Sequence, residues 1–100
     1  MTVSAQRVEH VALRGDLDLV GAPAAGREVA AALSGGADAV VVHLDDVAFI
    51  DSAGLRMLVT AADAAQRRGI ELHLLPGRDH VMAVVEAASL AGRLPFVGWP

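Results

Sequence analysis

Apolar and polar residues along this chain fall into two alternating rhythms. Between about Ala22 and Ser34, the apolar positions Ala25, Val29, Ala32 and Leu33 share one helix face. Pro23 suits the first turn, where its missing N–H would have had no partner. Gly35-Gly36 ends the segment, with Gly35 free to turn left-handed. Between about Ser52 and Arg68, Leu55, Leu58, Val59, Ala62 and Ala65 repeat the helical spacing, and Gly69 stops it. A third helix is expected from Asp79 as N-cap, with Val81, Val84, Val85 and Ala88 as its stripe.

The segments between read as strands. Val8 to Leu13 mixes polar and apolar residues, as near a sheet edge, and "GDLD" at Gly15 to Asp18 reads as a turn. "AVVVHL", Ala39 to Leu44, is a run suited to an inner strand covered on both faces. "DDV" at 45 to 47 then predicts a turn, with Phe49-Ile50 returning to the core. Ile70, Leu72 and Leu74 alternate with Glu71 and His73, as in a half-buried strand. Thr2 to Ala5 and Leu94 to Val97 are candidate short strands, the latter held to an edge by Pro95. Strand–helix alternation of this kind predicts an α/β domain with helices on a largely parallel sheet and right-handed crossovers.

Composition narrows the function. One hundred residues bound a single domain over 1-100. The core must be thin, because 54% of residues are hydrophobic but only 3% aromatic. A net charge of −4 argues against a general nucleic-acid surface. All basic residues are Arg; the one adjacent pair, Arg67-Arg68, fits the last turn of the second helix. No cysteine is present, which excludes disulfides and thiolate chemistry. No signal-peptide pattern or membrane-length apolar run is seen, so no membrane insertion and a cytoplasmic location are the expectation.

The chemistry concentrates in "AFIDSAGLRMLV", residues 48 to 59, where a strand becomes a helix. Ser52 there reads most simply as the helix cap, worth about 1 kcal/mol. Gly54 argues for more, since glycine inside a first turn costs about 1 kcal/mol relative to Ala and a partner's backbone approaching closely would explain it. The joint also lies at the carboxyl end of an inner strand, where open α/β sheets place ligands. A serine hydrolase would need glycine where Ile50 stands. "LSGGADA" lacks the P-loop lysine. His10, His43, His73 and His80 are scattered; His43 and His73 on neighbouring strands would more simply make ordinary hydrogen bonds than hold a metal. Asp45-Asp46 is most simply a solvated turn, or an acidic rim facing a basic groove.

The stretches "LRGDLD", "VVVHLDDVAFIDSAGL" and "SLAGRLPFV" together resemble the STAS domain, particularly the small anti-sigma factor antagonists, over about Val8 to Val97. The resemblance implies a STAS fold: a small mixed, mostly parallel sheet of four to five strands with three, or four, packed helices. It implies a regulator rather than an enzyme, without cofactor or bound metal. It implies Ser52 as phosphoacceptor, with Asp18 and Asp51 beside it and Asp51 to Arg56 (Asp51, Ser52, Ala53, Gly54, Leu55, Arg56) at the partner interface, flanked by Met57. The implied partners are an anti-sigma factor serine kinase, which supplies ATP, and a phosphatase. Ala53 stands where many relatives carry a second hydroxyl. Relatives usually carry a further helix beyond the position of Pro100, so Phe96, Val97 and Trp99 either form an apolar patch suited to self-association or fold back on the core. The same resemblance admits an unphosphorylated accessory subunit of a lipid-transport ABC system, or a stressosome-type scaffold.

Overall fold

The computed structural model describes residues 6–99. Six elements alternate: β1 (Val8–Leu17), α1 (Ala22–Ser34), β2 (Ala39–Ile50), α2 (Ser52–Arg68), β3 (Glu71–Leu75) and α3 (Asp79–Ala87). The candidate strand at Thr2 to Ala5 lies outside the described residues. Among them the sheet has three strands, ordered β1-β2-β3, with both pairings parallel. This is fewer strands than the four to five expected and no mixed pairing. Phe96 adds a single parallel bridge to Leu74 beside β3. Leu74 N–H donates to the Pro95 carbonyl and Val97 N–H to the Leu74 carbonyl. Pro95 thus stays at the margin, as an imide without a donor must.

The strands run further than the turn signals suggested. "GDLD" is not the turn: β1 continues through Leu17. "DDV" is not a turn either, because β2 runs unbroken to Ile50. The reason lies in the register. Ala12 pairs with His43 but Arg14 with Asp46, and Gly15 pairs with Val47 but Asp16 with Phe49. At each shift β2 spends one residue more than β1, as a β-bulge does. The bulges hold Asp45 and Asp46 outward while Leu44, Val47 and Ile50 remain buried. Phe49, expected in the core, is turned out and 48% exposed.

The core lies between the helices and one sheet face. Val40, Val42 and Leu44 are fully buried, together with Leu13, Leu17, Val29, Leu58, Leu74, Val81 and Val85. The alternate face of β2 is only half covered: Val41 and His43 are intermediate in burial. The inner strand is therefore not covered on both faces. On α2, Ala61 takes the buried place expected of Ala62, and on α3 Met82 is buried while Ala88 is exposed. Met82 Sδ accepts from the Gly77 N–H at 3.3 Å, which turns this side chain inward. Asp79 opens α3 as its first residue; the N-cap is Arg78, without a side-chain cap bond. Gly35 keeps an ordinary φ of −85°, and Gly36 instead takes the left-handed turn at +86°. Phe96 and Trp99 fold back on the core, edge to face with centroids 5.6 Å apart, while Val97 stays 45% exposed.

Candidate functional site

Two aspartates organise the carboxyl ends of β1 and β2. Asp51, in extended backbone at φ −128°, is the N-cap of α2. Its Oδ1 accepts from the Ala53 N–H at 2.9 Å and the Gly54 N–H at 3.4 Å, and its carbonyl accepts from the Leu55 N–H. Asp18 makes a similar pattern in the loop before α1: its Oδ1 accepts from the Val20 and Gly21 N–H groups at 3.0 and 2.8 Å, and its carbonyl from the Ala22 N–H, while Gly21 is the N-cap of α1, with no side-chain cap bond. The cap of α2 is therefore Asp51, not Ser52. A carboxylate at this place satisfies orphan donors and favourably meets the positive end of the helix dipole.

Ser52 is thereby released from structural duty. It is the first residue of α2, its side chain is exposed, and the capping bonds all come from its neighbour. Its position is nonetheless fixed on both sides. Asp51 N–H donates to the Leu17 carbonyl at 3.2 Å, tying the joint to the end of β1, one residue before Asp18.

Gly54 explains itself inside the protein. A Cβ there would lie 2.3 Å from the Leu17 carbonyl oxygen and 2.7 Å from Ile50 Cγ1. The glycine serves the close seating of α2 on the end of the sheet. A partner's backbone is not needed to account for it. Leu55, 7% exposed, likewise belongs to the core. Of the expected interface residues, Ser52 and Arg56 present exposed side chains, Asp18, Asp51 and Ala53 are half-buried, and Gly54 and Leu55 are buried. Met57 is half-buried, facing Gly26 of α1.

Two arrangements were not visible in the sequence. Leu19 and Val20, in the β1–α1 loop, are 80% and 87% exposed. In sequence they are a plain apolar pair directly after "GDLD". His43 meets His10, not His73: His10 Nδ1 and His43 Nε2 are 2.9 Å apart. His73 lies 3.6 Å from Glu71 on its own strand. Only the strand register could bring the first two together.

The fold, the capped strand-to-helix joint and its exposed serine define a class, the STAS domain. Residues 1–97 match a family model described as "Mlab, STAS domain", and the chain belongs to this family. Among solved structures, an anti-sigma factor antagonist from Mycobacterium paratuberculosis is similar, with a TM-score of 0.80 and 21% identity over 99% of this chain and 84% of that one. The anti-sigma factor antagonist SpoIIAA in its unphosphorylated form is also similar, with a TM-score of 0.73 and 16% identity over 96% of this chain and 83% of that one. No curated protein matches the chain in sequence. Among the described residues, no helix is long and apolar enough to cross a membrane.

Proposed function

We propose that this chain is an anti-sigma factor antagonist switched by phosphorylation of Ser52. Unmodified, it binds an anti-sigma factor kinase and frees the sigma factor; phosphorylated, it lets go; a phosphatase restores it. The observation that carries this reading is the exposed Ser52 at the first position of α2, with the helix capped independently by Asp51. A nucleophilic hydroxyl on a rigid element, free of capping duty, can be modified without cost to the fold. The two similar structures named as antagonists support the same reading.

The physics of the switch is local. A phosphate adds about −1.5 to −2 charges at pH 7. The start of α2 tolerates the charge, although two of its N–H groups are already held by Asp51. The new charge would stand beside Asp51 and near Asp18, so the interface, rather than the backbone, feels the change. Loss of about 3 kcal/mol of binding is more than a hundredfold in affinity. Nucleotide, Mg²⁺ and base belong to the kinase.

The test is incubation with the cognate kinase and ATP, followed by mass spectrometry of the peptide holding residue 52. Phosphate on Ser52 is expected. Ser52→Ala should bind the kinase constitutively and Ser52→Asp at least a hundredfold more weakly. Equal binding by both variants would sink the switch.

A second reading is favoured by the family description, which prints "Mlab" rather than antagonist. On it the chain is an unphosphorylated accessory subunit of a lipid-transport ABC system, docking on the ATPase through the same start of α2. Co-purification with an ATPase–permease complex, and no phosphate on Ser52, would select it.

A further inference from the structure

A groove runs between α1 and α2 on the outer side of the helix layer. Gly26, Ala30 and Leu33 of α1 and Met57, Ala61 and Ala64 of α2 line it, and the exposed Leu19 stands at its mouth. Its cavity volume is about 360 Å³, within the range of small-ligand sites. The α1 wall spans Ala22 to Leu33, which at helical rise is about 16 Å.

The charge of the lining is one-sided. The chain carries 12 acidic against 8 basic residues, yet no acid lines the groove and two arginines do, Arg56 and Arg68. Twelve residues apart on one helix, they stand about 18 Å from each other along its axis, one at each end of the apolar stretch. Both are exposed, and the ion pair found among the described residues is His73–Glu71, so neither has a carboxylate partner there.

Volume and charge decide the occupant. At the floor, a Cβ on Gly26 would lie 3.2 Å from Met57 Cγ, so the helices nearly touch. With the floor closed there and a cavity of about 360 Å³, a helix about 10–12 Å across with its side chains has no room to sink between α1 and α2. A single hydrocarbon chain fits. We propose that the α1–α2 groove binds a single-chain acyl anion of medium length, its tail along the Gly26–Met57 floor and its carboxylate on Arg56 or Arg68. The tail is driven in by loss of apolar surface to water; the guanidinium selects the head by a paired, charge-assisted hydrogen bond. This proposal does not depend on the antagonist reading, because it is tested on the chain alone.

The experiment is titration with dodecanoate, below its micelle threshold, followed by amide NMR shifts and calorimetry. Expected are saturable shifts at groove residues such as Gly26, Ala30 and Ala61. Octanoate should bind at least tenfold more weakly, since each methylene contributes separately. Ala30→Trp places a bulky ring in the slot from an exposed position and should weaken binding at least tenfold, its dispersed spectrum showing that it still folds. At least one of Arg56→Gln and Arg68→Gln should weaken it fivefold or more, which also tells which end holds the head. Non-saturating or scattered shifts would mean surface adsorption only and overturn the proposal. So would equal binding of dodecyltrimethylammonium, or no effect of both arginine variants. Concentration-dependent shifts of the same amides without ligand would assign the groove to a second copy of the chain. Binding of an acidic amphipathic peptide there, with none of dodecanoate, would assign it to a protein; either result overturns the acyl site.

Discussion

The two strand-to-helix joints of this protein use the same chemistry for different ends. At β1–α1, Asp18 holds two N–H groups through one carboxylate oxygen; at β2–α2, Asp51 does the same. The first joint needs Leu19, Val20 and Gly21 to make its turn, and a Cβ on Gly21 would collide with the Asp16 carbonyl. The second spends only Asp51 between strand and helix. Its next residue, Ser52, is already helical and exposed. A loop presents apolar side chains at one joint; a rigid first turn presents a hydroxyl at the other. The aspartate does the structural work in both, which leaves the serine available for regulation.

Four variants probe that comparison, from the largest effect to the smallest. Gly54→Val attacks the seat of the second joint, where even a Cβ meets the Leu17 backbone and Ile50. It should cost about 3 kcal/mol or more, read as a lower midpoint in urea unfolding. A loss under about 1 kcal/mol would mean that α2 can slide off the sheet end, and the joint is not rigid. Asp51→Ala removes the cap of α2 and should cost about 1–2 kcal/mol by the same measurement. Asp18→Ala should cost about 1 kcal/mol, because it frees the Val20 and Gly21 N–H groups of an exposed loop and not those of a helix. If it costs more than Asp51→Ala, the ranking of the two joints is reversed. Ser52→Ala should change stability by less than about 0.5 kcal/mol, as exposed positions outside a cap do. A loss of 1 kcal/mol or more there would show that Ser52 shares the capping, and would break the separation of structure from regulation.

Much of the fold was legible in the periodicity. The bounds of α1 and α2 follow from Pro23, from Gly35-Gly36 and Gly69, and from apolar spacing. Gly69 is left-handed at φ +68°, as a helix stop of this kind requires. The strand ends were not legible. Asp45, Asp46 and Gly15 are turn residues by type, and here they sit in bulged strand. Local propensity cannot report a register shift, because the shift is a property of two strands. Ser52 was found as a candidate, but the cap of α2 was assigned to it and belongs to Asp51, for a similar reason. Serine and aspartate are both good caps, and which one caps depends on where the backbone turns.

The order of elements, the helical faces and the position of the serine were determined by the sequence itself, through spacing that any fold of this chain must respect. Tertiary structure alone decided that the Asp51 backbone is tied to the Leu17 carbonyl, which places the cap there, and that Gly54 is demanded by Leu17. It also joined His10 to His43 and set two arginines at the ends of one apolar groove. The first set arises from contacts within a few residues, where period and propensity act. The second arises where distant segments meet, and depends on distances that no single stretch of chain contains.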